Sequence, residues 1–214
     1  MRDDRLKTRT GFARLIRRPE FASLLGFIAI FVFFLSVAPA FRSFEALATT
    51  LYASSTLGIV ALAVGMLMIG GEFDLSSGVA VTTAALAATM LNYNLHLNSW
   101  VGAFLALGIS LAIGALNGFL VTRTGIDSFL ITLAAFLMLQ GLNLAVTKLV
   151  TGQVATPTIA DMEGFPSAHA VFAGEFHIGN VRISVTVLWW IFFVAVASFV
   201  LFRTKFGGWI TAVG

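Results

Sequence analysis

Charged residues are scarce in this chain. Only 11% of its 214 residues are Asp, Glu, Lys or Arg, whereas 58% are hydrophobic. A soluble domain usually has about 25% charged and about 45–50% apolar residues. The composition therefore excludes a disordered chain and an ordinary soluble enzyme. Cysteine is absent altogether, which excludes disulfide bonds, thiol chemistry and a cysteine-based metal site.

Motifs that carry catalysis or metal binding are missing as well. The sequence has no G-x-x-x-x-G-K-[ST] phosphate loop, so we expect the chain not to hydrolyse ATP by itself. It also lacks a G-x-S-x-G nucleophile elbow and an H-E-x-x-H metal motif. His169 and His177 share a connector with Asp161, Glu163 and Glu175, but without the spacing of a metal site. We therefore predict a protein that is not an enzyme, with no catalytic residue and no metal ligand.

Six stretches of the chain contain no charged residue. Their lengths match a helix that crosses a bilayer, which needs about 20 mainly apolar residues, with a range of about 17–25. A soluble core helix would instead show a charged face. The third stretch is short and rich in Ala and Thr, as a partial span would be. The sequence thus predicts an all-α polytopic membrane helix bundle with about six transmembrane helices, near residues 21–41, 51–70, 76–92, 99–121, 128–147 and 183–202.

The positive charges predict the orientation of these spans. If the N-terminus is cytoplasmic, ten of the 13 Lys and Arg residues fall in cytoplasmic segments, in agreement with the positive-inside rule. We therefore predict a basic cytoplasmic segment at residues 1–20, a transmembrane domain at 21–202 and a cytoplasmic segment at 203–214. The long connector 148–182 is then extracytoplasmic. It is a docking surface, a re-entrant cap or a solvated loop, because connectors this long are usually functional or carry structure of their own.

The most unusual local sequence lies between the second and third spans. It reads Gly70-Gly71-Glu72-Phe73-Asp74-Leu75-Ser76-Ser77-Gly78. One interpretation is structural: the glycines end one helix, and Asp74 or Ser76 caps the next. The other is functional: carboxylates close to a membrane face a solvated path or gate. The sequence leaves both open.

The fifth span carries polar residues at steps of three or four, which places them on one helical face. Such residues commonly form hydrogen bonds between helices, although the same face could line the route of an uncharged, hydroxyl-rich solute. In the fourth span, Ser110 and Asn117 share a face with Gly114 between them. The stripe of the fifth span consists of Thr132, Phe136, Gln140, Asn143 and Thr147.

Two segments carry a family resemblance. One is Gly71-Glu72-Phe73-Asp74-Leu75-Ser76, and the other is the block from Asn117-Gly118-Phe119-Leu120-Val121 to Gly125-Ile126-Asp127-Ser128-Phe129-Leu130-Ile131-Thr132-Leu133. Both resemble the ribose, xylose, arabinose and galactose permeases of bacterial ABC importers, and the resemblance covers essentially the whole chain. It implies a membrane-spanning permease subunit in the bacterial inner membrane that forms the translocation pathway for a monosaccharide, without naming which sugar.

The resemblance also implies partners and site residues. The expected partners are an ATPase subunit that binds ATP and Mg²⁺, a second permease subunit and a periplasmic sugar-binding protein; we expect no nucleic acid. Chains of this family continue beyond residue 214, so we expect this chain to lack the C-terminal part with the coupling helix. The residues predicted for the pathway or gate are Glu72, Asp74, Ser76, Asn117, Phe129 and Thr132, with Gln140 and Asn143 added from the polar stripe.

Two other classes of function remain open from the sequence. One is a subunit of a proton-coupled secondary transporter, with Glu72 or Asp74 as the proton carrier. The other is a membrane assembly subunit that transports nothing. Dependence of uptake on ATP separates the first from an ABC importer, and co-purification with an ATPase argues against the second.

Overall fold

The computed structural model describes residues 19–179 and 181–214, so most of the predicted basic segment 1–20 lies outside the described residues. The described residues divide into two compact units, one that ends at Thr49 and a second at Thr50–Gly214. The described residues form eight α-helices and one β-hairpin: α1 (Pro19–Val37), α2 (Phe44–Ile69), α3 (Ser77–Leu95), α4 (Ser99–Thr124), α5 (Ser128–Thr151), α6 (Phe165–Phe172), β1 (Glu175–Ile178), β2 (Val181–Ser184), α7 (Val185–Arg203) and α8 (Lys205–Val213).

In the first unit, α1 is followed by a short 3-10 helix, Pro39–Arg42. The helix ends before Pro39 because proline has no N–H and clashes with the preceding turn. Arg42 folds back and donates hydrogen bonds to the carbonyl oxygens of Leu35 and Ser36. A cation is favourable there because the last carbonyls of a helix have no partner within it.

The fold confirms the predicted all-α polytopic membrane protein. Within the described residues, four helices are long and apolar enough to cross a membrane. In α1, the apolar part is the shorter stretch Leu24–Val37. The four long apolar helices are α2, α4, α5 and α7.

Helix α3 coincides with the weakest predicted span and is not among those four. It packs against both α4 and α5. Ala80, Ala84 and Ala88 are buried at intervals of one helical turn, and small side chains of this kind let helix backbones approach closely. The low hydropathy of this helix therefore reflects its packing against other helices, and the helix itself is continuous from Ser77 to Leu95.

Helix ends differ from the predicted spans because charged residues belong to several terminal turns. Glu45 lies in the first turn of α2, and Arg123, Lys148 and Arg203 lie in the last turns of α4, α5 and α7. Each charge has the sign that the helix dipole favours at that end. Stretches defined by absence of charge therefore stop before the helix does.

The connector between α5 and α7 has structure of its own. It contains α6 and the antiparallel β-hairpin, in which His177 is opposite Arg182. Side chains tie it to the neighbouring helices: the indole N–H of Trp100 donates to Ser167 Oγ (2.9 Å) and that of Trp189 to the Val171 carbonyl (2.8 Å). The ring of Phe172 contacts both indoles. The predicted docking or capping role of this connector stays a prediction.

Replacement of Gly102 by Ala should destabilise the contact between α3 and α4. A Cβ atom at Gly102 would overlap the side-chain amide of Asn92, which is only 1% exposed and has little room to move. Overpacking of this kind costs about 1–3 kcal/mol. Thermal unfolding in detergent should show a lower apparent Tm for Gly102→Ala. The matched control is Gly108→Ala on the same helix, where a Cβ meets nothing within 4 Å; an equal loss in both variants would contradict the packing account.

Candidate functional site

The connection between α2 and α3 begins with a tight helix end. Gly71 has a φ of 82°, a left-handed conformation that glycine adopts without strain. The N–H of Glu72 then donates back to the Leu67 carbonyl (3.2 Å). This is the glycine-terminated helix end that one of the two sequence interpretations predicts. It turns the chain into a short non-helical segment, residues 72–76.

Side chains of α5 accept hydrogen bonds from the backbone N–H groups of that segment. The N–H of Phe73 donates to Ser128 Oγ (3.1 Å), and the N–H of Leu75 donates to Thr132 Oγ1 (3.2 Å). The Thr132 hydroxyl in turn donates to the Ser128 carbonyl (2.7 Å). Buried backbone groups outside a helix need such partners, because an unpaired buried N–H is costly.

A second set of hydrogen bonds connects the segment to α4. The Asn117 amide donates to Ser76 Oγ (2.8 Å), and Ser76 Oγ donates to Asp74 Oδ1 (2.7 Å). The same Oδ1 accepts the N–H of Ser76 (2.7 Å). Ser76 and Asn117 are 1% and 6% exposed, so the relay is shielded from solvent. We call the set Asp74, Ser76, Asn117, Ser128 and Thr132 the inter-span hub.

The predicted capping role of Ser76 is wrong in its chemistry. Ser76 occupies the N-cap position of α3, but its hydroxyl makes no capping hydrogen bond. Asn117 and Asp74 engage that hydroxyl instead. Asp74 likewise binds Ser76 itself rather than an N–H further inside α3. Ser76 therefore links the α2–α3 segment to α4 instead of capping α3.

The structure divides the eight predicted pathway residues into three places. Four of them, Asp74, Ser76, Asn117 and Thr132, belong to the inter-span hub. Phe129 lies beside it, with its ring centroid 6.4 Å from that of Phe73. Glu72 is exposed and lies apart, where it lines an apolar groove between α2 and α8. Gln140 and Asn143 line a separate cleft. A role of any of these residues in transport stays a prediction.

Sequence reasoning missed Ser128 as a member of the hub. Its hydroxyl accepts from a residue 55 positions earlier in the chain, and a partner so distant leaves no periodic signal. The one available signal is its position after Asp127, which caps α5 by accepting the N–H of Phe129 (2.8 Å). A serine at the start of a helix ordinarily indicates only local capping.

The second feature is a cleft of about 480 Å³ between α3 and α5. Thr82 of α3 faces the polar stripe of α5 across it, and Phe136, Gln140, Asn143 and Thr147 belong to the lining. The stripe therefore serves two purposes: Thr132 binds the α2–α3 segment, whereas the later residues line the cleft. Among the described residues, no group of three or more His, Asp or Glu side chains could hold a metal ion.

Comparison with known proteins identifies the family. The family described as "branched-chain amino acid transport system / permease component" matches residues 46–214, which include the hub and the cleft. No solved structure shows a significant match to this chain.

Curated relatives match nearly the whole chain. The ribose import permease protein RbsC of Escherichia coli (strain K12) is 27% identical over 197 residues, which cover 91% of this chain and 58% of RbsC. The autoinducer 2 import system permease protein LsrC of Enterobacter sp. (strain 638) is 29% identical, over 94% of this chain and 54% of LsrC. The xylose/arabinose import permease protein XylH of Sulfolobus acidocaldarius is 27% identical, over 94% and 53%.

This chain thus spans about half the length of the curated relatives it matches. The match of the family covers most of the chain, from within α2 to residue 214. The protein therefore belongs to the permease-component family of membrane transport systems.

Proposed function

We propose that this chain is the membrane-spanning permease part of an ATP-binding-cassette importer, in which it lines the translocation pathway for a monosaccharide. The observation that carries the proposal is the inter-span hub, where buried side chains of α4 and α5 form hydrogen bonds with the segment that bears the acidic motif. The names of the relatives, which are import permeases for ribose and for xylose and arabinose, support the substrate class.

The proposed complex needs other subunits. A separate ATPase binds ATP and Mg²⁺ and supplies the energy, a second permease completes the pathway, and a periplasmic binding protein delivers the sugar. The complex lies in the bacterial cytoplasmic membrane. This chain contributes binding and conformational change rather than covalent chemistry.

The hub gives the chain a way to transmit movement. Two helices, α4 and α5, meet the α2–α3 segment through hydrogen bonds of 2.8–3.2 Å, and α3 continues directly from that segment. A shift of any one helix must either carry the segment along or break these bonds. Packed and hydrogen-bonded elements of this kind change between discrete arrangements rather than deforming continuously. We propose that the hub couples the segment to the opening and closing of the pathway.

Import should depend on ATP and not on a proton gradient. Uptake of radiolabelled D-ribose, D-xylose or D-galactose by proteoliposomes with the complete complex should require ATP on the ATPase side. Uptake should persist when an ionophore collapses the proton gradient, because ATP hydrolysis supplies the energy for import and no carboxylate of this chain carries a proton. Uptake that needs the gradient and continues without ATP would contradict the proposal and favour a proton-coupled transporter.

Replacement of Ser76 by Ala should impair both stability and uptake. The change removes the partner of the Asn117 amide and one donor to Asp74, and unpaired buried polar groups cost about 1–3 kcal/mol each. The matched control is Ser77→Ala, which loses only a 3.3 Å hydrogen bond to the Asp74 carbonyl. Uptake per folded complex and the apparent Tm measure the two effects. Equal behaviour of the two serine variants would refute the role of the hub.

A further inference from the structure

Gln140 and Asn143 differ from the other polar side chains of the predicted site. Asn117 and Thr132 form hydrogen bonds between helices or to the α2–α3 segment. The side-chain amides of Gln140 and Asn143 form no hydrogen bond within the described residues. Packing between helices of this chain therefore accounts for the first pair and not for the second.

An unpaired amide in a membrane helix requires a partner from outside the chain. Each amide has two N–H donors and a carbonyl acceptor. Contact of such a group with hydrocarbon is costly, so polar residues in spanning helices face protein or a water-filled cavity. Gln140 and Asn143 lie about one turn apart on α5 and line the same cleft. Two unpaired amides side by side therefore indicate a binding site rather than a single unpaired polar group that the fold tolerates.

The cleft has the dimensions of a small-molecule site. Its volume of about 480 Å³ falls within the range of about 300–1,000 Å³ that is typical of ligand pockets. The wall opposite the amides includes Thr82, and the ring of Phe136 supplies an apolar surface beside them. Thr147 is 2% exposed, and its hydroxyl also lacks a hydrogen-bond partner within the described part of the chain.

The lining determines which solutes fit. It contains no Asp, Glu, Lys, Arg or His side chain. An amino acid would bring a carboxylate and an ammonium group into a cleft without a charge to pair with either, which is strongly unfavourable. An uncharged solute with several hydroxyl groups matches the amides, which offer both donors and acceptors. Its apolar face matches the ring of Phe136.

We propose that the cleft between α3 and α5 is a solute-binding site for an uncharged, hydroxyl-rich small molecule, with Gln140 and Asn143 as the residues that determine specificity. The inference rests on the proposed function, since it places the solute of that import pathway. It adds a location and a selection rule: a monosaccharide is accepted, and a zwitterionic amino acid is rejected although the description of the family names one.

Solute protection of an introduced cysteine tests the site without requiring transport. In the complete complex, with Leu144→Cys in the lining of the cleft as its only cysteine, a small methanethiosulfonate reagent should label the new thiol. D-ribose, D-xylose or D-galactose should slow that labelling at least about fivefold, and L-leucine should leave it unchanged. The matched control is Asp161→Cys, at an exposed position of the outer connector, where no solute should alter labelling.

The outcomes separate this inference from the proposed function. Lack of protection by all three sugars, in a complex whose wild type imports one of them with ATP, would overturn the site and leave the proposed function standing. Protection by a sugar, in a complex that shows no ATP-dependent import, would overturn the proposed function and leave the site standing. Protection by L-leucine would overturn the selection rule. A thiol that links two copies of the chain, unaffected by sugar, would assign the cleft to an interface instead.

Kinetics of conservative variants provide a second readout. Gln140→Leu and Asn143→Leu keep the approximate side-chain volume but remove the amide that forms the proposed hydrogen bonds to the solute. The half-saturation concentration for uptake should therefore rise about three- to tenfold. Asn143→Gln retains an amide and should recover part of that loss. The control is Met138→Leu on the same helix, outside the cleft lining. A rise of equal size in the Met138 variant would overturn the specificity role.

Discussion

A backbone N–H group that is buried away from water must find a hydrogen-bond partner within the protein, because leaving it unpaired is costly. Long helices meet this requirement by themselves, but the segment between α2 and α3 cannot. It depends on the hydroxyls of Ser128 and Thr132, which accept the N–H groups of Phe73 and Leu75. This dependence places the start of α5 beside the start of α3 and thereby defines the part of the structure that we propose to be functional.

The same requirement separates the polar side chains of α4 and α5 into two groups. Asn117 and Thr132 are buried and paired, so they stabilise the arrangement of the helices. Gln140 and Asn143 are more exposed than that pair and form no hydrogen bond within the described residues, so their amides are available to bind a solute. Sequence periodicity places Thr132, Gln140 and Asn143 on one face but cannot distinguish them. Only the position of the neighbouring segment shows which polar group already has a partner.

Much of the helical architecture could be predicted from the absence of charge, since each predicted span overlaps a helix. The ends could not, because Glu45, Arg123 and Lys148 lie within helices at positions where the dipole favours them. Asp74, Ser76 and Thr132 were predicted as site residues on spacing and resemblance. The hydrogen bonds that connect their segment to α4 and α5 could not be predicted, because they join residues 41, 55 and 57 positions apart. Glu72 shares the motif but not the hub, since adjacent residues of a non-helical segment point in different directions.

Hydrogen–deuterium exchange of segment 72–76 tests the central claim most directly. In the purified complex in lipid nanodiscs, the amides of Phe73, Leu75 and Ser76 should exchange slowly, because each donates to a side chain of the structure. The amide of Gly179 in the exposed turn of the hairpin is the internal reference for rapid exchange. Exchange in segment 72–76 as fast as at Gly179 would contradict the account, because the segment would then be solvated rather than held by α5.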